Sequence, residues 1–129
     1  MKSVVICGSG RFKPEARKFA ADLKKRGVIV FEPYFHRGGD EWDKMSQQYK
    51  DFVALGLTHD HFYKIKMADV VFVYNKGGYV GNSTTLELGY AMALGKVIYA
   101  LSDKDEEICR RVLFREIIKT PRELIKKLK

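Results

Sequence analysis

The feature of this chain that most narrows what it can fold into is an apolar run that feeds a glycine-rich loop, which in turn opens a helix. Residues 70–74 read as a buried strand, and Gly77, Gly78 and Gly81 follow where a backbone can turn closely. Leu86, Tyr90, Ala93 and Leu94 then recur at helical spacing. A strand-loop-helix junction of this kind is a ready site for a ligand. The spacing puts Glu87 in the first turn of the helix, where free N–H groups and the helix dipole favour the ionised carboxylate, a candidate nucleophile or base. Thr84-x-x-Glu87 also has the spacing of a capping box, in which the Glu bonds back to the cap residue. The local sequence leaves both roles open.

The same pattern recurs along the chain. Residues 3–7 form an apolar run ending in Gly8-Ser9-Gly10-Arg11, and Pro14 then begins a helix with Ala16, Phe19, Ala20 and Leu23 on one face. Gly27 closes that helix and residues 28–31 form a second strand, a βαβ unit for which right-handed parallel pairing is the rule. The Gly8 loop, at the carboxyl end of its strand, presents backbone N–H groups and a helix start to an anion, and Arg11 adds a fork of donors for a phosphate. The spacing matches neither G-x-G-x-x-G nor a Walker A loop, which counts against dinucleotide binding and ATP hydrolysis.

Residues 42–53 have a mixed polar and aromatic pattern compatible with a helix. Residues 58–68 predict another, with Thr58 as N-cap and Phe62, Ile65 and Ala68 facing inward. Asp69 opens the strand of residues 70–74 at the end opposite the ligand-binding edge, a structural position. A fourth strand follows over 96–101, a helix over 105–113, an edge strand over 115–119 and a closing helix over 121–128 with Pro121 in its first turn. Five strands alternating with helices predict an α/β fold: a three-layer sandwich around an open five-stranded parallel sheet, Rossmann-like or flavodoxin-like. The 129 residues, 46% of them hydrophobic, suffice for one core, so residues 1–129 are read as a single domain.

Several function classes are set aside on composition. No segment approaches the ~20 apolar residues of a membrane helix, and the first ten residues lack the apolar run of a secretory signal, so a cytoplasmic protein is expected. Of the formal charge of +8, much lies in residues 111–129, which hold seven Lys or Arg and two Glu. Lys126, Lys127 and Lys129 beside Leu124, Ile125 and Leu128 read as the solvated face of a terminal helix, and no nucleic-acid motif accompanies them. Cys7 and Cys109 read as two buried thiols, neither a disulfide framework nor a metal site. His59 and His61, two apart, point different ways on a helix, which argues against a paired metal site. Residues 33–40 read as part of a flap; in it His36 and Arg37 suit either plain solvated positions or substrate contact.

The residues on which this reading turns resemble the nucleoside 2-deoxyribosyltransferase superfamily, including its relatives that hydrolyse deoxynucleoside 5′-monophosphates. The resemblance rests on Ile6-Cys7-Gly8-Ser9-Gly10-Arg11-Phe12, on Ile65-x-x-x-Asp69-Val70-Val71, and most specifically on Gly81-x-x-x-x-x-Glu87-Leu88-Gly89-Tyr90-Ala91 with Gly95-Lys96 after it. It implies that Glu87 attacks the anomeric carbon to form a glycosyl-enzyme from which base has left, as a carboxylate nucleophile does in retaining glycosidases. Ser9 and Arg11 match positions that hold the phosphate in the monophosphate hydrolases.

Three positions depart from the family pattern. The Asp expected eight residues before Asp69 is His61, with Asp60 next to it; the transferases' second acid, six residues before the nucleophile, is Gly81; and their Tyr near the end of the first strand falls where Val5, Ile6 and Cys7 stand. An imidazole titrates near neutral pH, so His61 suits protonation of a departing base, and it equally suits an ordinary helix surface.

The expected function is an N-glycosidase acting on a nucleoside 5′-monophosphate, by hydrolysis or by deoxyribosyl transfer. Glu87 would be the nucleophile, and His61 or Asp60 would assist the leaving base. Gly8, Ser9, Gly10 and Arg11 would hold the phosphate, with Gly81, Asn82 and Ser83 in the loop at the sugar. No cofactor and no metal enter this expectation. The implied partner is a nucleotide or nucleoside, with no membrane and no nucleic acid, and the resemblance implies a homo-oligomer. Two rivals stand beside it. One is a non-catalytic nucleotide-binding module, which the three departures favour. The other is a phosphoribohydrolase of the cytokinin-activating type, whose Pro-Gly-Gly-x-Gly-Thr-x-x-Glu signature is loosely echoed by Lys76-Gly77-Gly78-Tyr79-Val80-Gly81, although Gly81 to Glu87 is longer than that signature allows.

Overall fold

A computed structural model describes residues 1–34 and 40–129 of the chain. Its elements run β1 (Val4–Cys7), α1 (Lys13–Lys25), β2 (Val30–Phe31), α2 (Asp40–Lys44), α3 (Gln47–Met67), β3 (Val70–Val73), α4 (Asn82–Ala93), β4 (Val97–Ala100), α5 (Ile108–Arg111), β5 (Glu116–Ile117) and α6 (Pro121–Leu128). The five strands form one all-parallel sheet in the order β2-β1-β3-β4-β5. The central strands β1 and β3 are apolar at every position because helices cover both faces of the sheet, leaving no solvated side to call for alternation. The expected three-layer α/β sandwich is therefore what the chain forms.

Two cores sandwich the sheet. On one face Phe19 and Leu23 of α1 and Leu124 and Leu128 of α6 pack on Val4, Ile6, Val70 and Phe72, and the Phe19 and Phe72 rings stack at 4.6 Å. On the other, Ile65 of α3 and Leu88 and Ala91 of α4 pack on Val5, Cys7, Val71 and Val73. Along β1, successive side chains alternate between these cores, which puts Cys7 on the α3 and α4 side. The strand order reverses between β1 and β3, and the register Cys7↔Val73 brings their carboxyl ends level. That switch point is where open α/β sheets form ligand crevices.

Several expected boundaries move. A single helix, α3, replaces the break expected at Thr58: the Ser46 side chain accepts the Tyr49 N–H as the true N-cap, and the Thr58 hydroxyl donates back to the Ala54 carbonyl inside the helix. The helix expected over 105–113 shrinks to α5, because the Asp105 carboxylate accepts the Glu107 N–H and binds the Arg110 guanidinium, holding residues 105–107 in a turn. One of the glycines after β3, Gly78, serves packing. Gly78 sits at φ 87°, and a Cβ there would lie 2.4 Å from the Lys104 carbonyl, so this loop can dock on residues 102–105 only without a side chain. Asp69 binds the Ser3 N–H at 2.7 Å, the structural role expected at the amino end of β3. Cys7 is buried as expected, but Cys109 is exposed on the short α5. Among the described residues, no helix is long and apolar enough to cross a membrane.

Candidate active site

A cavity of ≈ 310 Å³ opens at the switch point, a size at the lower end of small-molecule sites. β1 supplies one wall through Gly8, Ser9 and Gly10, and the start of α4 supplies another through Gly81, Asn82, Ser83 and Thr84. His61 from α3 and Glu87 from α4 also line it, with Leu57, Thr58, Pro33 and Tyr34 around the mouth. The loop after β1 is held tightly. The Tyr74 N–H donates to the Cys7 carbonyl at 2.8 Å, and a Cβ on Gly8 would meet the Tyr74 carbonyl oxygen at 3.0 Å. Ser9 then accepts the Arg11 N–H at 3.1 Å, starting a 3-10 turn over Gly10–Phe12 that runs into α1.

α4 begins earlier than Thr84 suggests. Gly81 is its N-cap, and both the N–H and the hydroxyl of Thr85 donate to the Gly81 carbonyl. Glu87 consequently stands in the second turn, so it neither closes a capping box with Thr84 nor sits among the free N–H groups of the first turn. Its side chain is 14% exposed. Burial without a strong cationic partner pushes its carboxyl up to about 8, the reverse of the ionised group expected from a helix terminus.

His61 is not a surface residue: it is 4% exposed. Burial, with the Lys64 charge nearby, pulls the imidazole down to about 4 against the opposing pull of Asp60. Its Nε2 lies 3.3 Å from Cys7 Sγ and 3.8 Å from Glu87 Oε1, and its Nδ1 is buried without a hydrogen-bond partner among the described residues. With the carboxyl held high and the imidazole low, His61 and Glu87 face each other as neutral groups near pH 7. Their 3.8 Å separation is thus neither an ion pair nor a hydrogen bond of ordinary length. Burial, followed by the nearby Glu87, raises the Cys7 thiol well above its usual value.

Two expected site residues lie elsewhere. Asp60 pairs with Lys64 Nζ at 2.7 Å, is half-exposed, and does not line the cavity. The Arg11 guanidinium stacks over Tyr79 at 3.7 Å from the ring centroid and is also absent from the cavity wall, although the loop it follows is part of that wall. Gly77 and Gly78 are likewise outside it. His36 and Arg37 lie outside the described residues. Sequence reasoning gave Cys7 no place near the site, yet it lies 3.3 Å from His61 Nε2 without itself lining the cavity. Its place as the last residue of β1 and on the α4 face was the available signal.

The sequence profile described as nucleoside 2-deoxyribosyltransferase matches residues 4–119. A 2-deoxyribosyltransferase from Bacillus psychrosaccharolyticus shares the fold with a TM-score of 0.60 and 18% identity, covering 95% of this chain and 89% of that one. A conserved protein from Enterococcus faecalis V583 does so with a TM-score of 0.61 and 12% identity, covering 99% and 97%. No curated protein matches the chain in sequence. Because the profile spans the Gly8 loop, the His61 helix and the Glu87 helix together, the chain belongs to the nucleoside 2-deoxyribosyltransferase family.

Proposed function

We propose that the protein cleaves the base-sugar bond of a nucleoside 5′-monophosphate through a glycosyl-enzyme intermediate on Glu87. The observation that carries the reading is the single cavity lined by the Glu87 carboxyl, the Gly8-Ser9-Gly10 loop and the Asn82-Ser83 helix start, with His61 beside the carboxyl. In this scheme a Glu87 oxygen bonds to the anomeric carbon as the carbon-nitrogen bond breaks, and the bonding pair leaves on the base nitrogen, which takes up a proton. The proton that Glu87 carries at rest passes by way of His61 to the departing base. An imidazole of low basicity suits a transient carrier of that kind. Water, or a second base, then releases the sugar from Glu87. Asp60, engaged by Lys64, leaves His61 to assist the base.

The phosphate is assigned to the backbone N–H groups of Gly8, Ser9 and Gly10, with Arg11 contributing its charge from the stack on Tyr79. The sugar faces Gly81, Asn82 and Ser83. The reading includes a cytoplasmic, self-associating protein. Leu86 at 64% and Met92 at 43% exposure leave apolar side chains of α4 on the surface, in a chain of net charge +8, and a second copy is the occupant we assign to them. Light scattering of the purified protein tests that assignment; a monomer at micromolar concentration ends it.

Two features favour a non-catalytic nucleotide-binding module instead: burial pushes the Glu87 carboxyl up to about 8, toward its neutral form, and the neighbouring acid, Asp60, is tied to Lys64. Incubation with each nucleoside monophosphate, followed by chromatography for free base, separates the two. Catalysis predicts base release that Glu87→Gln abolishes while melting is preserved. Binding of a monophosphate without base release from wild type makes the module the better account.

A further inference from the structure

We propose that Cys7, His61 and Glu87 form a binding site for a borderline-soft divalent cation of the zinc class, and that the cation, by taking the Glu87 oxygen, blocks glycosidic cleavage. The blocking half rests on the function proposed above; the binding half does not.

The three residues come from β1, α3 and α4, and their donor atoms lie within 4.8 Å of one another. Tetrahedral zinc with ordinary bond lengths sets its sulfur and nitrogen ligands about 3.6 Å apart and its nitrogen and oxygen ligands about 3.4 Å apart. Cys7 Sγ and His61 Nε2 stand 3.3 Å apart, and His61 Nε2 and Glu87 Oε1 3.8 Å. The two His61 distances are within a few tenths of an ångström of those spacings, and with all three donors within 4.8 Å of one another, rotation of the long Glu87 side chain brings its oxygen toward the Cys7 sulfur around an ion. His61 and Glu87 border the cavity, so the fourth position opens toward solvent, as in zinc sites with three protein ligands. A thiol, an imidazole and one carboxyl select zinc or cobalt over magnesium or calcium, which require oxygen ligands.

His61 is 4% exposed; its Nε2 lies at hydrogen-bond distance from the Cys7 sulfur and 3.8 Å from Glu87 Oε1, and its Nδ1 has no partner among the described residues. Nε2 is thus the ring atom turned toward the other two donors, and a metal there would fix the tautomer with the proton on Nδ1. No Lys or Arg lines the cavity among the described residues, so a divalent cation would be the local positive charge. Binding forms metal-sulfur, metal-nitrogen and metal-oxygen bonds, and any protons on the thiol and carboxyl go to water.

The test uses cobalt(II) as a spectroscopic stand-in for zinc on the full chain. Wild type should bind one equivalent and develop a thiolate-to-cobalt charge-transfer band that zinc bleaches by displacement. Cys7→Ser should lose the band, and His61→Gln should weaken binding at least tenfold. Cys109→Ser, which alters the exposed thiol, should keep the band unchanged. Circular dichroism checks that each variant is folded, and zinc should raise the melting temperature of wild type and not of Cys7→Ser. A folded wild type without the band, or a band that survives Cys7→Ser and vanishes in Cys109→Ser, overturns the site. If wild type releases base, zinc should suppress release and a chelator restore it; full activity at one bound equivalent overturns the blocking half alone.

Discussion

The carboxamide of Asn75 is locked onto the backbone of Ser102. Its Nδ2 donates to the Ser102 carbonyl at 2.9 Å, and its Oδ1 accepts the N–H groups of Ser102 and Leu101 at 2.9 and 3.0 Å. Both residues are buried, and the clamp ties the chain after β3 to the chain after β4, one strand away from the cavity. Asn75→Ala strands the N–H and the carbonyl of Ser102 in a place water does not reach, while the Leu101 N–H keeps its bond to the Val73 carbonyl. The expected loss is about 3 kcal/mol, at about 1 to 3 kcal/mol for each group left unsatisfied and with partial relaxation. Urea denaturation with an unchanged m-value checks it.

Gly78→Ala should be costly for a separate reason. The residue combines φ 87° with a Cβ position 2.4 Å from the Lys104 carbonyl carbon and oxygen, so a methyl group strains the backbone and pushes residues 102–105 away. A loss of about 2 to 4 kcal/mol is expected. Gly77→Ala, where the φ is 65° but no atom lies within 4 Å, should lose only the backbone part, about 1 to 2 kcal/mol. Equal losses in the two variants would show that the contact with Lys104 contributes nothing.

The sheet was legible in the sequence because burial on both faces turns β1, β3 and β4 into continuous apolar runs, which no helix of similar length would imitate here. The site was legible only along the chain. Glu87 and the Gly8 loop announce themselves through glycines and a local motif, whereas the approach of Cys7 to His61 spans 54 residues and carries no sequence signature. His61 was readable in part: Val53, Leu57, His61, Ile65 and Ala68 follow one helical stripe, all of them buried or half-buried. Its charged neighbours Asp60 and Lys64 disguised that stripe. The error at Glu87 is one of helix phase. Gly81 caps without a side chain, so Thr84 looked like the start, and the three-residue slip moved a largely buried second-turn carboxyl into the first turn, among free N–H groups.

Acid should weaken the clamp between α5 and α4. Asp105, 1% exposed, binds Arg110 through two hydrogen bonds of 2.8 and 2.9 Å, and Arg110 reaches the Thr85 hydroxyl at 3.3 Å. The hydrogen bonds from Arg110 are the main cause that holds the Asp105 carboxyl below its usual value, opposed by burial and helped by the Glu107 N–H. A folded-state value lower than the unfolded one means that the carboxylate stabilises the fold fully above the unfolded value of about 3.9, and that this stability is lost as pH falls through the folded value. Asp105→Asn should therefore cost about 2 kcal/mol at pH 7, and the gap to wild type should close progressively below about pH 4. Denaturation curves at a series of pH values check the sign; a gap that widens in acid would place the stability elsewhere.

The stack of Arg11 on Tyr79 makes a final prediction that tests how the phosphate is read. The guanidinium lies 3.7 Å from the ring centroid, and it follows directly on the Ser9 and Gly10 wall of the cavity, where no Lys or Arg side chain is present among the described residues. If its charge serves the phosphate, Arg11→Ala should weaken a nucleoside monophosphate about tenfold or more while leaving the parent nucleoside within about twofold, since a charge-assisted contact is worth about 1.5 to 3 kcal/mol and the nucleoside lacks the group that makes it. Arg11→Lys should recover only part of the loss, because an ammonium keeps the charge but not the planar stack on Tyr79. Tyr79→Leu separates the two contributions: it removes the stack and keeps the charge, so the preference for the monophosphate should narrow without vanishing. Calorimetric titration of both ligands into the three variants measures these ratios. Parallel loss of nucleoside and monophosphate in Arg11→Ala would assign Arg11 to holding the Gly8 loop in shape, and would leave the phosphate to the backbone N–H groups alone.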